Sequence, residues 1–225
     1  FDASGGKIRK VCADIDIETD CLVLAVGHSA RDTFQMLLER RIPMRSKAFA
    51  VGVRMEHPQT LINENQYGKD YPDFLPAASY KLTRKVAEER GVYSFCMCPG
   101  GYVVNASSEE GMTAVNGMSY NARAGENANS AMIISVRPED FGSDGPLAGV
   151  EFQRKLEKAA YREGQGKIPV QLFGDFCENR ISTELGEIKP NTKGEWIFGN
   201  VRNIFPENLA VGLEEGIKGC EKLTI

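Results

Sequence analysis

Residues 21–32 read Cys-Leu-Val-Leu-Ala-Val-Gly-His-Ser-Ala-Arg-Asp and place an apolar run directly before a polar turn. Six consecutive apolar residues closed by a glycine predict a buried strand over residues 21–26. Ser29 and Asp32 have the Ser-x-x-acid spacing of a helix start, and apolar residues three and four apart continue that helix towards Pro43. The stretch therefore predicts a strand, a turn and a helix.

The sequence on either side predicts a mixture of short strands and a few helices. Residues 7–13 alternate in character, which predicts a β-hairpin or meander before the strand over residues 21–26. Further strands are predicted at residues 48–55, 80–86, 92–96, 102–105, 112–115, 131–136 and 170–173, helices at residues 58–63, 147–163 and 206–220, and loops at residues 67–76 and 183–194. These patterns indicate an α/β to α+β fold with a mixed sheet.

The chain length and composition limit the class of protein. With 225 residues, 42% of them hydrophobic and 26% charged, the chain can bury one large or two small cores. A net charge of -4 gives no overall attraction for nucleic acid. The longest apolar stretch is far shorter than the roughly 20 residues of a membrane-spanning helix. We expect a cytoplasmic protein without nucleic-acid or membrane partners.

The cysteines and histidines do not form a metal-binding pattern. Cys96 and Cys98 are the only close pair of the six cysteines, and the spacing is C-x-C rather than C-x-x-C. His28 and His57 are distant from each other in sequence. A chain of this size folds without disulfides, and a bond within C-x-C would be strained, so all six thiols are predicted to be reduced.

The turn at Gly27-His28-Ser29 has three possible explanations. A glycine followed by a helix start suits an anion, because helix amides and the positive end of the helix dipole face it. Asp32 would compete for those amides unless Arg31 supplies charge. A simple helix cap is the second explanation, and the third is a nucleophile elbow.

The elbow would make this chain a serine hydrolase with Ser29 as its nucleophile. The elbow motif ends in glycine, however, where this sequence has Arg31. His57 would have to be the base, and the available acids either lie on the helix of Ser29 or adjoin that histidine. The hydrolase therefore remains an alternative with poorly placed partners.

Two further clusters suit a flat ligand. Residues 93–102 combine aromatic and sulfur side chains with Pro99, Gly100 and Gly101, so the backbone can approach a ring closely. Asn116 and its neighbours, together with residues 126–131, offer the amide donors and acceptors that orient a heterocycle. Ordinary turns would have the same composition. The glycine, phosphate and zinc motifs G-x-G-x-x-G, G-x-x-x-x-G-K and H-E-x-x-H are all absent from the sequence.

Taken together, five strings carry a family resemblance. They span residues 22–33, 48–59, 93–104, 116–119 and 127–131, within a match that runs in order from residue 21 to residue 176. These strings resemble the bacterial FAD-dependent dehydrogenases that are often called NAD(FAD)-utilizing dehydrogenases. The resemblance favours cofactor contact over the elbow at residues 27–32.

The resemblance implies a division of labour along the chain. Residues 1–46 would be part of an FAD-binding domain, and residues 47–225 an inserted substrate-side domain that ends in a helix. The chain would be an internal fragment without the N-terminal glycine fingerprint, and the remainder of the FAD domain would be its partner within the parent protein. The implied cofactor is FAD, which this fragment would not retain, with NAD(P)H as a possible electron source and a small molecule as substrate.

The implied site residues come from all three clusters. Cys96 and Cys98 are the candidates for catalysis. The implied cofactor-binding residues are Gly27, His28, Ser29, Arg31, Asp32, Cys98, Pro99, Gly100, Gly101, Asn116, Asn127, Asn129 and Ser130. Because a flavin site gathers such groups within the length of one ligand, residues 27–32, 95–101 and 116–130 are expected to share one face.

The leading hypothesis is a fragment of an FAD-dependent oxidoreductase that transfers hydride through flavin. The alternatives are a non-catalytic ligand-binding or partner-binding module and the serine hydrolase with Ser29. The substrate and the choice between NADH and NADPH do not follow from the residues.

Overall fold

The computed structural model describes residues 2–12 and 14–221. The chain divides into two compact units, Phe1–Pro43 and Met44–Ile225. This division falls shortly before the boundary that the sequence predicted after residue 46. Each unit is a mixture of strands and a helix or helices, and the several sheets confirm the α/β to α+β fold class.

The first unit is a small antiparallel meander followed by a helix. Its strands are β1 (Asp2–Ser4), β2 (Lys7–Cys12) and β3 (Asp16–Glu18), paired in the order β1-β2-β3, and its helix is α1 (Arg31–Glu39). The predicted meander is confirmed. Ala13, which the prediction included in the second strand, lies outside the described residues.

The strand predicted at residues 21–26 is not formed. These residues are irregular, and Val23 is 80% exposed. A strand requires a neighbour for its backbone hydrogen bonds, whereas β1, β2 and β3 pair only with one another. An apolar run alone therefore did not produce a strand in this unit.

The helix also begins later than predicted. Its first residue is Arg31, its N-cap is Ala30, and no side chain caps its first turn. The carboxylate of Asp32 accepts the backbone N–H of Thr33 at 2.7 Å, so it occupies one amide at this helix end. The predicted Ser29 cap is wrong, because Ala30 is the N-cap residue and no side chain caps the first turn.

The second unit contains three sheets. In chain order its elements are β4 (Phe49–Pro58), α2 (Gln59–Tyr67), β5 (Thr83–Val86), β6 (Arg90–Cys98), β7 (Tyr102–Asn105), β8 (Val115–Met118), β9 (Asn127–Val136), α3 (Ala148–Glu163), β10 (Ile168–Val170), α4 (Phe173–Cys177), β11 (Thr192–Lys193), β12 (Trp196–Phe198) and α5 (Glu207–Glu221). The main sheet is antiparallel with the order β4-β9-β6-β5, and the smaller sheets have the orders β11-β7-β8 and β10-β12.

Most predicted elements of this unit are present, with shifted ends. The three predicted helices correspond to α2, α3 and α5. Helix α2 begins after its N-cap Pro58 and continues to Tyr67. The strand predicted at residues 112–115 is wrong, because β8 begins at Val115. The strand predicted at residues 170–173 is wrong beyond Val170, the last residue of β10, because Phe173 begins α4. Residues 127–130 belong to a strand and not to a turn.

The core lies on one face of the main sheet, under α5. Opposite residues of an antiparallel pair share a face, and Val92 pairs with Ile134. Both side chains are fully buried, and Leu209 and Leu213 of α5 are at most 1% exposed. Gly216 allows this approach, because a Cβ there would lie 2.5 Å from the Cβ of Val92.

We expect Gly216→Ala to destabilise the second unit by about 1–3 kcal/mol, the usual cost of overpacking a core. Val92 is β-branched and fully buried, so it has no room to yield to the new methyl group. Chemical denaturation measures the free energy of unfolding. Gly174→Ala in α4 is the matched control, because nothing lies within 4 Å of its Cβ position. Equal losses in the two variants would contradict this account.

Candidate functional site

A β-bulge interrupts β6 near its end. Phe95 pairs with Ala131 and Cys98 pairs with Asn129, so Cys96 and Met97 together oppose a single residue of β9. Cys96 has a φ of +45°, a left-handed conformation that is uncommon outside glycine. The bulge returns the side chain of Cys98 to the sheet face opposite α5, because Asn129 lies on that face.

Arg54 holds the bulge. Its Nη1 and Nη2 donate to the carbonyl oxygen of Cys96 at 2.9 and 3.1 Å, and its Nη2 lies 3.5 Å from the Sγ of Cys98. Arg54 pairs with Ala131 across β4 and β9, so it shares a face with Asn129 two positions away. A cation is thereby placed beside the Cys98 thiol.

Asn129 is the most unusual residue of this face. Its side chain is completely buried, and neither Nδ2 nor Oδ1 has a hydrogen-bond partner among the described residues. The Nε of Arg54 is also buried without a partner in this part of the chain. An unsatisfied buried polar group costs about 1–3 kcal/mol and is rare in folded proteins.

Gly117 of β8 covers these two side chains. A Cβ at this position would collide with the Nη2 of Arg54 and with the Oδ1 of Asn129. Glycine is therefore required where β8 crosses the end of the main sheet. The neighbouring Asn116 is exposed, and its Oδ1 accepts the backbone N–H of Gly117 at 2.8 Å.

A half-buried carboxyl group lies on the same face. Glu56 pairs with Asn129, and its Oε1 accepts from the Nδ2 of Asn127 at 3.1 Å and from the backbone N–H of Asn191 at 2.9 Å. Burial raises the pKa of Glu56 above its ordinary value, against the opposing effect of these hydrogen bonds. The carboxyl therefore keeps a proton at a higher pH than an exposed glutamate does.

Several hydrogen bonds tie the turn after the bulge to its surroundings. The N–H of Gly100 donates to the Oε1 of Gln59 at 2.7 Å, and the N–H of Gly101 donates to the carbonyl of Asn127 at 2.8 Å. The hydroxyl of Ser119 donates to the carbonyl of Pro99 at 2.7 Å. The turn is not a β-hairpin, because the strands that it joins, β6 and β7, pair with different neighbours.

The predicted segments of the second unit do come together at this end of the sheet. Residues 95–101, 116–119 and 127–130 are connected by the β6–β9 pairing, by Gly117 against Asn129 and by the bonds of the turn. Residues 27–32 belong to the first unit, and there His28 Nε2 lies 3.4 Å from the Oγ of Ser29 with both side chains exposed. The strand that a nucleophile elbow requires is missing before them.

Ser130 is separated from Asn129 by the pleat of the strand. It is fully buried on the other face, where its Oγ lies 2.6 Å from the hydroxyl of Tyr80, which in turn lies 3.0 Å from the Nε2 of His57. Burial lowers the pKa of His57 and raises the pKa of Tyr80. This hydrogen-bonded chain sits in the interior beside α2 and does not belong to the face of Arg54.

Sequence reasoning missed Arg54 and Glu56 as members of the site. Both stand in a strand that otherwise reads as apolar, and they are two positions apart, so they share one face. That spacing was the available signal. The pairing of β4 with β9 was needed to show that this face is the one that carries Asn129.

The described residues contain neither a cluster of metal-ligating side chains nor a membrane-spanning helix. In residues 2–12 and 14–221, no three His, Cys, Asp or Glu side chains are grouped as metal ligands would be. None of the described helices combines the length and the apolar character needed to traverse a bilayer.

Comparison with known proteins identifies the family. The model of the family described as FAD-dependent protein, C-terminal domain-like, matches residues 48–224, and the chain belongs to this family. The chain is also 49% identical over 222 residues to an uncharacterized protein of Clostridium beijerinckii. The alignment covers 96% of this chain and 42% of that protein, so the chain spans less than half the length of this relative.

The family match confirms the broader part of the sequence resemblance, a relation to FAD-dependent proteins. The matched residues 48–224 include Arg54, Glu56, Cys98 and Asn129.

Acidification from about pH 7.5 to pH 5.5 is expected to destabilise the protein through His57. Its pKa is lowered in the folded state from the ordinary value of 6.5. The unfolded chain therefore binds more protons as the pH falls through that value, and stability decreases, by at most about 1.4 kcal/mol per pH unit for one group. Denaturation of His57→Gln across this range should show a flatter dependence.

His28→Gln is the matched control for this measurement and should keep the wild-type dependence, since it changes the exposed histidine. Glu56 has the opposite effect on stability, because its raised pKa makes the folded state bind its proton first as the pH falls. If the stability of His57→Gln depends on pH as steeply as that of the wild type, another group causes the loss of stability in acid.

Proposed function

We propose that this chain is part of a longer FAD-dependent oxidoreductase that transfers hydride through the flavin. Membership of an FAD-dependent family supports the cofactor, and the 42% coverage of a relative supports a longer polypeptide. NADH or NADPH is the proposed electron source, and the proposed substrate is a small molecule.

The unpartnered amide of Asn129 supports the flavin site most directly. It lies where residues 95–101, 116–119 and 127–130 meet, within the family match. Nearly all buried polar groups in folded proteins have hydrogen-bond partners, so the amide of Asn129 requires an explanation, and a bound ligand is the one we propose. The residues fit a flavin ring, because donors, an acceptor and the 58% exposed ring of Phe95 occur at one sheet end.

FAD, when bound, supplies the hydride-accepting ring, while a protein supplies orientation and electrostatics. Arg54 contributes a positive charge beside the Cys98 thiol. The turn at Pro99, Gly100 and Gly101 is buried, and its glycines admit the backbones of Arg123 and Met118. Asn116 and Asn127 flank that turn, and Ser130 supports the strand from behind.

Proton transfer is assigned to groups on the same face. Cys96 is exposed and Cys98 is half-buried, and both remain candidates for catalysis. We add Glu56, because its half-buried carboxyl group lies across the strand pair from Asn129 and can hold a proton at its side-chain oxygens. Arg54 would position the Cys98 thiol through its guanidinium.

The first unit is proposed to belong to the FAD-binding domain. Gly27, His28, Ser29, Arg31 and Asp32 would then contact the cofactor. Residues 21–26 expose Val23, Leu24 and Val26, which is unfavourable for an apolar segment in water. Pairing with strands from the remainder of the longer polypeptide would bury these side chains.

The first test of this function is flavin content. We expect the longer polypeptide that carries this sequence to purify with one flavin per chain, seen as yellow absorbance that NADH or NADPH bleaches. This chain alone should purify colourless, because it contains no G-x-G-x-x-G segment to hold the pyrophosphate. A longer polypeptide without bound or bindable flavin would refute the proposed function.

The second test concerns Cys98. In the longer polypeptide, Cys98→Ser is expected to slow flavin reduction by about a hundredfold or more, as loss of an acid–base group does, with little change in melting temperature. Stopped-flow absorbance measures the rate. Cys177→Ser in α4 is the matched control and should retain the wild-type rate. A wild-type rate in Cys98→Ser would remove this thiol from the catalytic candidates.

A further inference from the structure

Three unpaired atoms meet where β4, β8 and β9 come together. They are the Nε of Arg54 and the Nδ2 and Oδ1 of Asn129, all buried and without partners among the described residues. Arg54 and Asn129 adjoin each other, since a Cβ on Gly117 would strike both. The set comprises two hydrogen-bond donors and one acceptor.

This set is the complement of an imide edge. A cyclic imide presents two carbonyl acceptors on either side of one N–H donor, and the pyrimidine ring of a flavin carries such an edge. We propose that Arg54 and Asn129 recognise the imide edge of a planar heterocycle. The identification of that heterocycle as the flavin rests on the proposed function, whereas the imide chemistry follows from the unpaired atoms.

Simpler ligands leave part of the set unsatisfied. A carboxylate only accepts hydrogen bonds, so it would leave the Oδ1 of Asn129 without a donor. A metal ion or an ammonium group would meet the positive guanidinium of Arg54. A neutral ring with alternating acceptors and a donor satisfies all three atoms at once.

The neighbouring Asn127 shows what a structural amide looks like in this strand. It lies on the same face of β9 and is also buried, at 5% exposure. Its Nδ2 donates to Glu56 at 3.1 Å and to the carbonyl of Lys189 at 2.9 Å. The two asparagines lie on the same face of β9, but the described part of the protein provides hydrogen-bond partners for Asn127 and not for Asn129.

Access to Asn129 requires the Arg54 side chain to move. Its guanidinium contacts the carbonyl of Cys96 and the thiol of Cys98, and Arg54 is only half-buried. Because Gly117 of β8 also covers the amide, the proposal requires that both the guanidinium and this part of β8 move when a ring enters beside the bulge. The ligand then replaces protein contacts with bonds to the three unpaired atoms.

The first experiment compares the stability of Asn129→Leu and Asn127→Leu in this chain. Asn127→Leu should lower the melting temperature by several degrees, because it removes the hydrogen bonds that Asn127 donates to Glu56 and to the carbonyl of Lys189. Asn129→Leu should lower the melting temperature by less, because it introduces the same larger side chain but removes two unsatisfied atoms and no hydrogen bond among the described residues. An Asn129→Leu protein that is unfolded, or as destabilised as Asn127→Leu, would make Asn129 structural and overturn the proposal.

The second experiment measures binding by calorimetry with three probes: lumiflavin, 3-methyllumiflavin and uracil. Lumiflavin carries the imide edge without phosphates, and the methyl group of 3-methyllumiflavin removes the N–H donor. The chain should bind lumiflavin about tenfold more tightly than the methylated compound, the value of one buried hydrogen bond. This preference should vanish in Asn129→Leu.

The outcomes separate the imide proposal from the proposed function. Equal binding of the two flavins in the wild-type chain, or binding that survives Asn129→Leu unchanged, overturns imide recognition and leaves the flavoprotein standing. Binding of uracil that depends on Asn129, without binding of lumiflavin, supports imide recognition and counts against flavin as the ligand. Failure of all three probes to bind overturns the proposal.

Discussion

The close contact of α5 with the main sheet is the constraint from which the rest of the second unit follows. Gly216 lets the helix backbone meet Val92, and the buried residues of α5 and of the central strands fill one face of the sheet. Since adjacent residues of a strand point to opposite faces, this packing assigns every side chain of β4, β6 and β9 to the core or to the other face. Arg54, Glu56, Asn127 and Asn129 lie on the face away from α5.

At the end of that other face, the sheet departs from regular pairing. The bulge at Cys96 and Met97 keeps Cys98 on the face of Asn129 and offers a carbonyl group to Arg54. Other buried polar groups of the second unit have partners. Ser182 donates to Asp175 at 2.6 Å, for example, and the buried Arg90 forms a bidentate ion pair with Asp140. Among the described residues, the amide of Asn129 and the Nε of Arg54 lack such partners at this end of the sheet, as does the Oγ of Ser46 elsewhere in the unit.

Each of the two units contains groups that lack suitable contacts. The first exposes the apolar residues 21–26 without strand partners, and the second buries an amide without hydrogen bonds. Both features cost free energy in the isolated chain, one through exposed apolar area and the other through desolvation. A chain that belongs to an FAD-dependent family and covers less than half of its relative is consistent with partners that relieve both costs.

The local pattern of the sequence determined the fold class, the three main helices, the strand at residues 48–55 and the clusters around Cys98 and Asn129, because periodicity and turn residues act over a few neighbours. Tertiary structure decided the rest. Residues 21–26 have the composition of a strand but no pairing partner, and Asn129 and Ser130, adjacent in the sequence, point to opposite faces. Arg54 and Glu56 join the site only through the register of β4 against β9. Strand pairing and register are long-range properties, since they depend on residues far away in the chain, and no local pattern contains them.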